Sequence, residues 1–234
     1  MIDMRTFDSL VRFQNAWLNA RHHFSFGGYR DGARMGLGPL RVWNDDAIAP
    51  GTGFDAHPHR DMEIITYVRA GAITHRDSLG DEGRTEAGDV QVMHAGTGIT
   101  HAELNQEATE TRIFQIWLQP NRAGVAPGWG ARTFPAAGEG LRVLASGAGE
   151  EVTLKDGALP LYADGAVLAG RIAAGQTVRH ALAPGRNAYL VAAAGVVTVN
   201  GVQAGTRDGV AVTGEAELAI VASEDAEVVL VETW

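Results

Sequence analysis

His57 and His59 are answered about forty residues later by His101 and Glu103, each pair two positions apart. Side chains alternate faces along an extended strand, so each pair would present both members on one face. Three imidazoles and one carboxylate form a donor set suited to a first-row divalent metal. Four protein donors leave one or two positions open for water, a chelating enolate or dioxygen, which is the arrangement of a reactive rather than a closed structural site. Seven of the eight histidines fall in residues 1 to 101. Burying so many ionisable groups unpartnered would be expensive, and a shared cation is the cheaper arrangement. On the same alternation Asp61 and Glu63 share the face of His59, so Glu63 is a rival carboxylate.

Strands emerging from turns must carry these residues. Gly51 and Gly53 precede the first pair, Gly96 and Gly98 the second, as at the mouth of a barrel. Runs at 64–68, 89–93, 112–118, 188–195, 196–200 and 226–234 are apolar or β-branched and bounded by Gly, Asn or Pro, an all-β pattern. Leu10, Phe13 and Trp17 stand at helical spacing and predict a helix over Asp8 to Ala20. From Pro120 to Gly140 the pattern lapses into a Gly- and Pro-rich stretch read as a connection between two barrels. Beyond it stands one histidine, His180, without a second ligand at strand spacing, so a metal is expected in the first half only.

Other residues point to packing or turns. His22 and His23 precede an aromatic FSF segment, within reach of a site mouth or packed away from it. Adjacent Asp45 and Asp46 would face opposite ways in a strand and are expected to cap a turn. His75 and His94 read as loop or second-barrel-wall residues. Met62, Met93, Phe114 and Trp117 are candidate pocket or core walls. Ser25 lacks a base and orienting partner, and the GTG at 96–98 is not followed by Lys-Ser/Thr, which excludes a phosphate-binding loop.

The 234 residues carry a net charge of −9, with 13 basic against 17 acidic residues in 1–140 and 6 against 11 in 141–234. Neither half offers the basic stripe that a phosphate backbone requires, so direct nucleic-acid binding is not expected. There is no cysteine, hence no disulfide, thiol nucleophile or thiolate ligand. No run of eighteen apolar residues exists, and MIDMRTFDSL does not resemble a leader; a cytoplasmic protein without membrane contact is expected.

Gly51-x5-His57-x-His59-x3-Glu63-x7-Gly71 follows the first cupin motif apart from one residue before the last glycine, and Gly98-x2-His101-x3-Asn105 follows the end of the second. More narrowly, HHFSFGGYRD at 22–31, LRVWNDD at 40–46, GTGFDAHPHRDMEIITYV at 51–68, HAGTGITHAELN at 94–105 and FQIWLQP at 114–120 resemble the pirin family, with a weaker likeness from Val196 to Gly209. The resemblance implies an all-β bicupin of two antiparallel barrels, with residues 1–133 as the metal-binding barrel and 134–234 as a metal-free one. It implies His57, His59, His101 and Glu103 as ligands of one divalent transition metal, iron first, with Ni, Co, Cu, Mn or Zn as alternatives. Glu63 would then orient a ligand imidazole, or form a strand-end salt bridge with Arg60 or Arg69.

Bacterial members of this family with quercetin 2,3-dioxygenase activity imply a flavonol and O2 as substrates, with Glu103 as ligand and proton acceptor and carbon monoxide as a product. The competing reading is a redox-sensing regulator that binds a transcription factor or metabolic enzyme as its protein partner without turnover. A cupin isomerase or sugar-binding protein ranks third, disfavoured because Arg60 is the one basic residue near the motif. A monomer is expected.

Overall fold

The computed structural model describes residues 1–134, 140–147 and 157–233. Every named strand pairing in it is antiparallel, and the expected all-β bicupin is the fold observed. The chain divides into two compact units. One comprises Val11–Phe134 with Leu159–Asp164, the other Met1–Leu10, Pro135–Ala158 and Gly165–Trp234.

In the first unit a seven-stranded sheet runs in the order Gly128–Arg132, Val90–His94, Glu63–Ala70, Thr111–Leu118, Leu40–Ile48, Leu18–His22, Val11–Gln14. A four-stranded sheet runs Thr52–His59, Ile99–Asn105, Ala72–Asp77, Glu82–Glu86. On one face of the larger sheet, Glu63–Ala70 and Thr111–Leu118 are apolar on either side of a polar residue, and Val90–His94 adds one polar and one apolar residue to their rows. Ile113, Gln115 and Trp117 lie opposite Val68, Thr66 and Ile64, while Gln91 and Met93 continue the rows beside Thr66 and Ile64. Ile48, Val68, Ile73 and Ile113 form one apolar cluster, and Ile64, Met93, Ala95 and Ile99 another. A polar layer is thus held between two hydrophobic ones, where every polar group must find a partner.

The second unit has a sheet running Ile2–Arg5, Gly209–Thr213, Asn187–Ala194, Ala226–Thr233, Gly165–Ile172, Arg142–Ser146 and a four-stranded sheet Thr177–Ala181, Glu217–Ala222, Val197–Val199, Val202–Ala204. Its core is aliphatic throughout, with Leu168, Leu190, Val210, Leu218 and Leu230 among its buried members. His180 does meet a carboxylate there, across strands: its Nε2 lies 2.8 Å from Glu232, which also receives Arg186 at 3.1 Å.

Three sequence expectations change. The helix over Asp8 to Ala20 is instead a short 3-10 turn at Phe7–Ser9 followed by a hairpin of Val11–Gln14 and Leu18–His22. Asn15 closes that hairpin by accepting from the backbone N–H groups of Trp17 and Leu18. Pairing of Leu18–His22 with Leu40–Ile48 buries Leu18, Ala20 and His22, and this outweighs the helical spacing of three aromatic and aliphatic residues. The Gly- and Pro-rich connection contributes Gly128–Arg132 to the first barrel's sheet, against Val90–His94; its residues 135–139, like Trp234 of the last predicted strand, lie outside the described residues. A cut between 133 and 134 also misses two exchanges. Ile2–Arg5 pairs with Gly209–Val212 in the second unit, and Leu159–Asp164 returns to the first.

Candidate metal centre

His57 and His101 are cross-strand partners, with His59 opposite Ile99 on the same pair of strands. The ring centroids are 4.7 Å apart for His57 and His59, 4.6 Å for His57 and His101, and 5.0 Å for His59 and His101. One nitrogen from each ring lies within 4.8 Å of the other two. Among the described residues this is the one group of three or more His, Cys, Asp or Glu side chains so disposed.

Electrostatics keep these imidazoles ready for a cation. Burial lowers the His101 pKa to about 3, helped by the neighbouring His57 and His75 and opposed by Asp77. Burial likewise lowers His59 to about 4, with His101 and His57 adding to the effect and Glu103 opposing it. Both rings are therefore neutral near pH 7, with lone pairs available, as metal ligation requires. His57 Nδ1–H donates to the Asp55 carbonyl at 2.7 Å, which leaves Nε2 as its free donor atom. Buried nitrogens of His59 and His101 have no hydrogen-bond partner among the described residues. The donor set fits a divalent metal.

Glu103 lies outside that group of three and is held one step along the strand from His101, in the polar layer. Its Oε1 accepts from Thr66 Oγ1 at 2.8 Å and Gln91 Nε2 at 2.7 Å, and its Oε2 accepts from Gln115 Nε2 at 2.6 Å. These neutral donors stabilise a carboxylate and fix its plane. The strand Thr52–His59 approaches so closely at a bulge between His101 and Glu103 that a Cβ on Gly53 would meet the Glu103 carbonyl oxygen at 2.3 Å, so only glycine fits.

Glu63 does not orient a ligand imidazole. Asp61, at φ 45°, turns the chain between His59 and the strand Glu63–Ala70, so the supposed single strand is two strands in different sheets. Glu63 Oε2 instead accepts from His94 Nδ1 at 2.6 Å and from the Tyr162 backbone N–H at 2.9 Å. Its alternative partner is also corrected, because Arg69 pairs with Asp45. Asp45 and Asp46 are mid-strand and buried rather than turn caps; both oxygens of Asp46 lack a hydrogen-bond partner among the described residues. Burial raises the Asp46 pKa well above the usual range, with Asp45 and Glu103 adding to the rise.

The remaining histidines also have defined places. His94 serves Glu63. His75, in the strand Ala72–Asp77, pairs with Asp77 at 2.8 Å and is no loop residue. His22 is buried and edge-to-face with Phe26, which is edge-to-face with Trp117, which is in turn edge-to-face with His59, with ring centroids 5.3, 5.4 and 5.0 Å apart. His22 thus joins an aromatic chain leading to the site, whereas His23 packs toward Trp43. Of the four candidate wall residues, Trp117 touches the centre and Met93 and Met62 belong to the adjacent apolar cluster, while Phe114 lies under the Arg69 guanidinium beside Trp43.

A fold of this kind, with three converging histidines in its first barrel that could hold a metal ion, defines a cupin. The Pirin profile matches residues 4–118, and the profile for the quercetinase C-terminal cupin domain matches 144–233. The chain is 57% identical over 232 residues to "Putative quercetin 2,3-dioxygenase PA1210" of Pseudomonas aeruginosa, covering 99% of each. It is 54% identical over 234 residues to "Pirin-like protein" of Caulobacter vibrioides, again covering 99% of each. The crystal structure of YhhW from Escherichia coli superposes with a TM-score of 0.94 at 37% identity, covering 100% of this chain and 98% of that one. YhhW in complex with nickel(II) gives 0.92, covering 100% and 99%. The chain belongs to the pirin family.

Proposed function

We propose that this protein is a metal-dependent dioxygenase that cleaves the central ring of flavonols such as quercetin with O2 and releases carbon monoxide. The observation that carries the reading is the group of three converging imidazoles beside a carboxylate already fixed by three donors. His57, His59 and His101 would hold the ion, with Glu103 as fourth donor. Its Oε2 receives one hydrogen bond where Oε1 receives two, which leaves it the freer oxygen. Iron is the first choice of metal; the relative YhhW has been solved in complex with nickel(II).

A bound divalent ion would acidify the flavonol 3-hydroxyl and make the ring electron-rich toward dioxygen. The chain's own residues supply the rest. Glu103 accepts the hydroxyl proton from a position that Thr66, Gln91 and Gln115 hold rigid. Trp117, whose indole N–H donates to Gln115 Oε1 at 3.2 Å, sets an apolar wall edge-on to His59 and limits water there. The name of the Pseudomonas aeruginosa relative, "Putative quercetin 2,3-dioxygenase PA1210", points toward this chemistry.

The test is metal analysis of purified protein, then oxygen uptake and carbon monoxide release with quercetin before and after metal removal and reconstitution. Activity should return with the metal, and His59→Ala should lack it while keeping its β-sheet circular dichroism. Full occupancy by several redox metals without oxygen uptake above buffer autoxidation would refute the dioxygenase reading and favour a regulatory binding protein.

A further inference from the structure

The strand Ala72–Asp77 carries a His-x-Asp pair that mirrors His101-x-Glu103 on its neighbour. In the antiparallel register His101 lies opposite Asp77, and Glu103 opposite His75. Directly opposed residues share a face with Cβ atoms about 5 Å apart, so the four side chains form a square.

Two contacts fix the added pair. His75 Nε2 lies 2.8 Å from Asp77 Oδ2, and neither side chain is exposed. Asp77 cannot swing, because its Oδ1 accepts the backbone N–H groups of Leu79 at 2.9 Å and Asp81 at 3.1 Å. The His75 ring is stacked on Trp129 at 4.8 Å with 6° between planes. Trp129 reaches it over Gly83, which lies opposite His75; a Cβ on Gly83 would meet the indole at 2.2 Å.

This leaves one nitrogen of His75 to explain. With Nε2–H donating to the carboxylate, Nδ1 carries a lone pair, and this buried atom has no hydrogen-bond partner among the described residues. The His101 ring is 5.4 Å away, centroid to centroid, and both of its nitrogens are buried and equally without partners. A metal can take only one of them. The other then carries a hydrogen that needs an acceptor.

We propose that Asp77 and His75 form an orienting relay for the metal ligand His101, with His75 Nδ1 accepting the N–H of His101 and Asp77 fixing the His75 tautomer that makes this acceptance possible. The inference rests on the metal reading above but assigns residues outside the donor set. His75 and Asp77 are positioning residues, acting through His101. The relay fixes the ring plane of His101 and strengthens its metal-bound nitrogen as a donor.

The sharpest variant is Asp77→Asn. The amide oxygen can still accept from Leu79 and Asp81, while its NH2 now faces His75 Nε2. His75 must then accept there and carry its proton on Nδ1, where it opposes the N–H of His101. Cobalt(II) affinity of the full chain, measured by competition with a chromophoric chelator, should fall about 10- to 100-fold in Asp77→Asn and in His75→Phe. The visible absorption of the cobalt form should shift in both. His75→Gln, which restores an acceptor, should recover part of the affinity lost in His75→Phe. Wild-type affinity and an unshifted spectrum in Asp77→Asn would overturn the relay while leaving the metal centre intact, and would do so even if His75→Phe failed to fold. Failure of the wild-type chain itself to bind cobalt(II) would overturn both readings.

Discussion

Glu63 and His94 face each other on paired strands, and the His94 Nδ1–H donates to Glu63 Oε2 over 2.6 Å. The same oxygen takes the Tyr162 backbone N–H, so this carboxylate ties the returning segment Leu159–Asp164 to the strand Glu63–Ala70. A carboxylate at the motif position that invites metal binding thus serves packing.

Glu63→Ala should therefore cost stability and spare the metal. Removing the acceptor leaves two part-buried N–H groups without it, worth about 1–3 kcal/mol each at most. Urea denaturation should show that loss, with metal stoichiometry and affinity unchanged. Glu103→Ala should in addition abolish turnover and metal retention. Metal loss in Glu63→Ala comparable to that in Glu103→Ala would contradict the assignment.

Asp46 makes a second test available. Its folded pKa is raised by burial, so it binds a proton more tightly folded than unfolded. The stability this contributes is complete below the unfolded pKa of about 4 and declines as pH rises toward the folded value, by at most about 1.4 kcal/mol per unit. Asp46→Asn removes that dependence. Its stability relative to wild type should grow from pH 4 upward, read as urea midpoints in matched buffers. A difference that stays flat with pH would show that Asp46 is not held protonated.

The buried imidazoles of the candidate centre act in the opposite sense. His101 and His59, lowered to about 3 and about 4, are neutral in the fold while unfolded histidine takes a proton near pH 6.5. Their contribution is present above about 6.5 and is lost as pH falls toward the folded values. Metal-free wild type should consequently lose stability from pH 6.5 to 4 more steeply than metal-free His101→Asn. Equal slopes would mean that the imidazoles are hydrated and unperturbed.

The convergence of His57, His59 and His101 was legible because strand alternation and ligand chemistry coincide in His57-x-His59 and at His101; Glu103 lies outside that group of three. The reading failed at Glu63, because alternation was carried through Asp61, whose left-handed backbone ends the strand. It passed over Thr66, Gln91 and Gln115, although each is a buried polar residue beside apolar neighbours in its strand. A polar residue buried in such a strand signals a partner, but only the register shows that all three share Glu103. Nor could the sequence pair His75 with His101, because that neighbourhood depends on which strands adjoin.

Gln115 gives the last prediction. Its amide is the one donor to Glu103 Oε2 among the described residues, and its own Oε1 accepts from the Trp117 indole, so it links the carboxylate to the aromatic wall. Gln115→Leu keeps the bulk and removes both bonds. Glu103 would remain anchored through Oε1 by Thr66 and Gln91, so the metal should still bind. The carboxylate would be free to rotate, and groups that support a ligand in this way are worth about 10- to 100-fold in affinity or activity. Turnover with quercetin should fall within that range while metal stoichiometry stays at one, and Gln115→Glu should do worse, because it sets a second carboxylate against the first. Undiminished turnover in Gln115→Leu would show that the Oε2 hydrogen bond is dispensable and that Thr66 and Gln91 alone position Glu103.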